Sequence, residues 1–309
     1  MLNKMHLNTL LRPGFFAVLL GLMLTGCSEP AERTAYPLPE QTQDYRWTDI
    51  RERASSVLLT VFDTGEVKVP VSGVLDNLET YPGSEDKSRW VKVFAFHFNH
   101  PQYGDVLIDT GLDRRFQSGG QGSYRGVLAP FIVEDSRQQR GQNIGAQLKR
   151  AGISPNLIFL SHIHGDHTSG LPEMPQGARV IATAGESFHD YPLIMYNDHF
   201  DGVVQIEELD MAAGRAMGPF ERVVDVFGDQ TFFAIATPGH TAGNLSFLIN
   251  SSEGWVLLTG DASHTRYGFD NNIIPGWAED RNEAMRSLEA LRTFAEKNPQ
   301  ITVIAGHEW

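Results

Sequence analysis

The sequence predicts an α/β protein. Three observations carry that prediction: short apolar runs bounded by polar turns, two stretches with helical spacing of apolar residues among them, and ligand-type side chains placed just after the strand-like runs, where open α/β sheets put their sites. The chain has 309 residues, 41% hydrophobic and 20% charged, which suits a sizeable core and excludes a disordered or fibrous chain.

Taken in order, residues 1–26 hold Lys4 and Arg12, no acid, and the apolar run Phe15 to Leu24. Ten residues fall short of the roughly 20 that span a bilayer, whereas a basic start, a short apolar stretch and small residues before a cut make a secretory signal. Leu24-Thr25-Gly26-Cys27 resembles the bacterial lipobox. That resemblance implies lipidation of Cys27, export, and anchoring to a bacterial membrane on the periplasmic or outer-membrane side. Residues 27–46 are polar and contain Pro30, Pro37 and Pro39, which predicts a flexible tether. Residues 47–309 are predicted to be one folded domain.

Within it, strands are expected over 57–62, 90–98 and 106–109, rich in Val and Phe. A helix is expected over 142–151, then strands over 157–160, 179–182, 231–236, 245–249 and 255–259. A second helix is expected over 280–297, where Met285, Leu288, Leu291 and Phe294 share a face and Asn298-Pro299 stops it; a last strand follows over 301–305. Residues 94–111 and 245–261 each run strand, turn, strand, then a Gly-containing turn. Two related halves would produce this echo, and so would independent hairpins.

Composition narrows the function. With 25 Lys+Arg against 38 Asp+Glu the net charge is −13. Loss of Lys4 and Arg12 with residues 1–26 deepens it to −15, so nucleic acid is not an expected partner. One cysteine excludes a disulfide framework, a Cys-based zinc cluster and a CxxC motif.

The chemistry lies in Ser161-His162-Ile163-His164-Gly165-Asp166-His167, directly after an apolar strand. Residues two apart on an extended segment face the same way, so His162 and His164 project together, while Gly165 lets the chain turn and bring Asp166 and His167 round. Imidazole and carboxylate are the donors zinc prefers. Further ligand types occupy equivalent settings: His240 after 232–236, Asp261 after 256–258, and His307 after 301–304.

This order of His162-x-His164-x-Asp166-His167, His240, Asp261 and His307 resembles the metallo-β-lactamase superfamily from about residue 57 to the end. The resemblance implies a four-layer αββα sandwich, with 47–309 as the catalytic domain. It further implies two divalent metal ions, zinc first among the candidates: His162, His164 and His240 on one, Asp166, His167 and His307 on the other, and Asp261 bridging. Two metals about 3.5–4 Å apart can hold a hydroxide, polarise a carbonyl and accept an alkoxide or thiolate. Asp166 is also a candidate to take the proton of the attacking water. No G-x-S-x-G elbow or mature free Cys offers another nucleophile.

Among superfamily chemistries, a bridging Asp261 argues against true β-lactamases, His164 against the flavodiiron oxidases, and the acidity and export signal against RNA-processing members. Lactonases and thioesterases of the glyoxalase II type remain. Lactonases that open acyl-homoserine lactones are the most similar in layout: Asp109-Thr110-Gly111, the His motif, Thr237-Pro238-Gly239-His240-Thr241, Gly260-Asp261-Ala262 and Gly306-His307. The expected substrate is therefore a small lactone or related carboxylic ester. One departure stands out. Such lactonases usually place Tyr three residues after the bridging Asp, and this chain has His264, a candidate catalytic donor to the substrate carbonyl. A different class, a non-catalytic metal-binding lipoprotein, would be marked by a missing ligand, and none is missing.

Asp109 is either a ligand-orienting residue or a strand terminator. The Gly-rich segment 118–123 lacks the Lys of a P-loop and reads as a flap or linker. His97, His100, His189 and His199 lack ligand spacing and are expected to be structural or at the surface.

Overall fold

The computed structural model describes residues 31–308 apart from 56, 80, 82–84 and 188–195. Cys27 and His189 lie outside the described residues. In chain order the strands are β1 Glu32–Ala35, β2 Thr60–Pro70, β3 Ser88–His100, β4 Gly104–Ile108, β5 Tyr124–Arg125, β6 Asp135–Arg137, β7 Leu157–Phe159 and β8 Arg179–Thr183. They continue as β9 Tyr196–Asn197, β10 Gln205–Leu209, β11 Arg215–Met217, β12 Phe220–Asp225, β13 Phe232–Ala236, β14 Leu245–Ser251, β15 Gly254–Leu258 and β16 Thr302–Ile304. Three helices position the site or cover the sheets: α1 Ile144–Ala151, α2 Gly165–Thr168 and α3 Arg281–Lys297.

One sheet has the order β1-β10-β8-β7-β4-β3-β2-β6, the other β11-β12-β13-β14-β15-β16. Strand alternation decides what lies between them and what lies outside. Phe94, Phe96 and Phe98 of β3 meet Phe232 and Phe247 across the central core. Their neighbour Ala95, with Leu107 and Ile158, turns outward onto Ile144 and Leu148 of α1. In the second sheet Phe233, Ile235, Leu248 and Leu257 turn outward onto Leu288, Leu291 and Phe294 of α3. The result is the αββα sandwich expected from the sequence. Helix α3 begins where the Asp280 side chain accepts from the amides of Asn282 and Glu283, and it packs its apolar stripe inward.

The internal echo has a structural counterpart. Strands β2, β3 and β4 run antiparallel and β4 then pairs parallel with β7; β13, β14 and β15 run antiparallel and β15 pairs parallel with β16. Asp109 and Asp261 follow the corresponding strands, β4 and β15.

Two expectations need correction. The stretch 27–46 was expected to be a flexible tether, yet from Ala31 onward it is part of the fold. β1 pairs in parallel with β10, and Tyr36 is buried with its ring 5.7 Å from Phe159. Gln41 is buried too, its amide donating to the Asp225 carbonyl at 3.1 Å and accepting from the Asp225 amide at 3.0 Å. The backbone pairing and these two side chains outweigh the polar, Pro-containing composition. The first expected strand, 57–62, is also displaced: β2 starts at Thr60 and runs to Pro70, with Val67 and Val69 buried.

Candidate metal centre

The centre forms where both sheets deliver strand ends to one edge. β7 stops at Phe159, and the chain passes extended through His162 and His164 before the single turn α2 carries Asp166 and His167. From the other sheet come His240 after β13, Asp261 after β15 and His307 after β16. Close approach of these loops needs glycine at 306, where a Cβ would lie 2.3 Å from Asp261 Oδ1.

The predicted residues converge. His162 Nε2, His240 Nε2 and His307 Nε2 stand 3.8, 3.4 and 3.4 Å from Asp261 Oδ2. His167 Nε2 is 3.4 Å from Asp261 Oδ1. Asp166 Oδ2 faces His167 Nε2 at 3.7 Å and His307 Nε2 at 3.5 Å, and His164 Nδ1 lies 3.0 Å from His240 Nε2. The donors of His162, His164 and His240 lie within 4.8 Å of one another, as do those of Asp166, His167, Asp261 and His307. That division is the one implied by the resemblance.

Several of these atoms are buried without a hydrogen-bond partner: His162 Nε2, His167 Nε2 and Asp261 Oδ1. Orphaned donors and acceptors in a protein interior are unfavourable unless something satisfies them, and a cation fits between imidazole and carboxylate donors. The electrostatics point the same way. Burial and the imidazole of His167 hold His162 well below the usual histidine range, and burial does the same to His240, so both are neutral donors. Burial acts on His167 as well, but Asp261, Asp109 and Asp166 overcome it and raise this histidine well above its usual value. Positive charge is favoured at this point.

The outer partners orient the donors. Asp109 is a non-glycine residue at φ 55, the left-handed region, and its carboxylate ties three groups together. It accepts from the Ser161 amide at 2.7 Å and the Ser161 hydroxyl at 2.8 Å, and from His167 Nδ1 at 2.8 Å. With its proton on Nδ1, His167 turns Nε2 to the centre. His307 is fixed likewise, its Nδ1 donating to the Lys92 carbonyl at 2.7 Å. Asp109 therefore orients a candidate ligand besides ending a strand. Asp109→Asn is expected to weaken metal binding about 10–100-fold in a chelator competition, and unchanged affinity would remove this role.

Behind the His240 loop, buried Glu186 accepts from Thr241 Oγ1 at 3.1 Å. Burial pushes its carboxyl up to about 7 from 4.5, with the Thr241 hydrogen bond opposing. The folded protein thus prefers the protonated form. The stability this lends is complete below pH 4.5 and is lost as pH rises through about 7. Relative to wild type, Glu186→Gln is expected to gain up to about 3 kcal/mol between pH 4.5 and pH 8 in urea unfolding. A difference independent of pH would contradict it.

A cleft of about 280 Å³ opens over the donors, walled by Ile132, Ile163, Tyr196 and Trp277. The Gly-rich segment 118–123 leads into β5, which pairs with β9, so Tyr124 and Tyr196 reach the cleft on one short ribbon. The segment is held by the Gly120 amide on Asp135 and by the Ser123 and Ser169 hydroxyls, 3.1 Å apart. His97 and His100 are buried, structural and paired with Asp105 and Asp229. His199, expected to be structural or at the surface, is buried and lines the cleft. Ser161 and the cleft walls were not found from sequence, because their roles depend on segments far apart in the chain.

A sequence profile of the metallo-beta-lactamase superfamily matches residues 103–307. The chain belongs to that superfamily, and with it to the metal-dependent hydrolases. Among curated relatives, the N-acyl homoserine lactonase AttM of Rhizobium johnstonii is 31% identical over 230 residues, 71% of this chain and 82% of that protein. AttM of Agrobacterium fabrum is 29% identical over 231 residues, with the same coverage of each. Among solved structures, AiiA of B. thuringiensis with N-decanoyl-L-homoserine bound superposes with a TM-score of 0.62 at 22% identity, covering 82% of this chain and 94% of that one. That likeness concerns the fold.

Proposed function

We propose that the protein hydrolyses a lactone, N-acyl homoserine lactones foremost, at two divalent ions, with zinc the first candidate. The observation that carries this reading is the convergence of seven His and Asp donors, several of them orphaned, at the floor of a cleft with apolar walls. Relatives named as N-acyl homoserine lactonases support the substrate class.

His162, His164 and His240 would hold one ion, Asp166, His167 and His307 the other, and Asp261 both. Bound there, two ions supply Lewis acidity to a carbonyl and acidify a water toward neutral pH. The chain's residues do the rest. Asp109 and the Lys92 carbonyl fix the ring orientations of His167 and His307. Asp166, the less buried carboxylate with 18% side-chain exposure, faces the cleft and is placed to accept the proton released on attack. Ile132, Tyr196 and Trp277 give an acyl chain an apolar seat beside the donors.

Turnover of purified protein on acyl-homoserine lactones, thioesters and β-lactams tests the reading. Lactones are expected to show the highest kcat/KM; faster turnover of thioesters would move the assignment to a glyoxalase II-type enzyme. The lipobox-like Leu24 to Cys27 supports a lipid anchor on the exported side of a bacterial membrane. Cys27→Ser is expected to move the protein from the membrane to the soluble fraction, and unchanged fractionation would refute the anchor.

A further inference from the structure

An eighth ligand-type side chain enters the cluster. His264 lies three residues after Asp261. The ring is buried, 3% exposed, and its Nε2 stands 3.1 Å from Asp261 Oδ2. That is nearer than the nitrogens of His240 and His307, at 3.4 Å, or of His162, at 3.8 Å, to the same oxygen. Yet His264 Nε2 is buried with no hydrogen-bond partner, so proximity to Asp261 does not satisfy it.

Three of its neighbours are candidate ligands. The donors of His240, Asp261 and His264 lie within 4.8 Å of one another, and the His264 ring centroid is 5.1 Å from those of both His240 and His307. Donors about 2.0–2.2 Å from one ion stand roughly 3–3.5 Å apart around a tetrahedron, and farther when opposed in higher coordination, so these separations suit a shared ion. The backbone holds the ring in place: the His307 amide donates to the His264 carbonyl at 2.9 Å, and the Gly306 amide to the Ser263 carbonyl at 2.9 Å. On the other side Thr265 caps the next helix, its hydroxyl accepting from the Gly268 amide at 2.9 Å. A side chain pinned on both flanks loses little further freedom on binding an ion.

We propose that His264 is a metal ligand, sharing an ion with His240 and Asp261, rather than only a donor to the substrate carbonyl. This rests on the two-metal reading above. Six imidazoles then touch metal, those of His162, His164, His167, His240, His264 and His307, a set rich in the nitrogen donors that suit zinc, cobalt and nickel.

The dicobalt-substituted full-length protein tests it by proton NMR. Each coordinated histidine keeps one N–H on its other nitrogen, and such protons are shifted far from the ordinary range by the paramagnetic ion. Six shifted, exchangeable imidazole resonances are expected in wild type and five in His264→Ala, with one of the two cobalt ions lost about 10–100-fold more easily to a chelator. His264→Tyr, which restores a large polar side chain, serves as the second variant and is expected to lose the same resonance. If wild type binds two cobalt ions, and both variants keep the same resonances and both affinities, His264 is not a ligand and the two-metal reading stands. If wild type takes up no cobalt, both fall.

Discussion

Replacing Asp261 with Ala is expected to lower kcat/KM by about 10³-fold or more, at or beyond the upper end of what loss of a single charge-stabilising group costs an active site. The reason is geometric. Asp261 is buried, and its two oxygens face donors of both sets: Oδ2 faces His162, His240 and His307, and Oδ1 faces His167. Its carboxyl is held well below the usual range, against its burial, by the imidazoles of His167, His307 and His264. Removing it strips the histidines of the carboxylate that faces both sets and loosens both ions together. Metal analysis of the variant should show less than the wild-type content. A variant that keeps two ions and wild-type turnover would contradict the bridging role.

The largest loss of stability is expected at Phe232. It is fully buried at the junction of the two sheets, stacked on Phe247 with centroids 5.3 Å apart and set edge-on to Phe98 and Phe159 at 5.2 and 5.1 Å. Phe98 and Phe159 belong to the first sheet and Phe247 to the second, so one ring ties the sandwich together. Phe232→Ala is expected to cost about 3–5 kcal/mol, a large part of the roughly 5–15 kcal/mol that holds a domain folded. A lower midpoint of urea unfolding at unchanged slope is the expected readout, and a loss under about 1 kcal/mol would show that the interface closes over the gap.

Much of this was legible in the sequence, for physical reasons. Helix α3 shows its stripe because Ala284, Leu288 and Leu291 bury one face along 17 residues. The donors were legible because each follows an apolar strand buried in the sandwich, leaving a polar residue at the strand end with a role to explain. Strand β1 was hidden: Glu32 to Ala35 has no alternating apolar pattern, and its contribution is backbone pairing with β10. Strands β6 and β11 have only three residues each, too few for a period of two to show. The cleft walls were hidden for another reason. Tyr124, Tyr196 and Trp277 come from three distant segments, and only the fold brings them to His164 and Asp166.

His264 joins both cases. Its spacing from Asp261 placed it near the cleft, whereas its turn toward Asp261 Oδ2, among His240 and His307, appears only in three dimensions. This converts an expected donor to substrate into a candidate ligand, and the departure from Tyr at that position becomes a change in the metal site itself.

The central claim is that one edge of the sandwich holds two metal ions between Asp261 and two sets of donors. Anomalous diffraction from crystals of protein purified without added metal, recorded on both sides of the zinc absorption edge, tests it most directly. Two peaks about 3.5–4 Å apart are expected, one within about 2.2 Å of the donors of His162, His164 and His240 and the other within the same distance of those of Asp166, His167 and His307, with Asp261 reaching both. The absence of any peak at these residues, in crystals soaked with zinc as well as in untreated ones, would contradict the account.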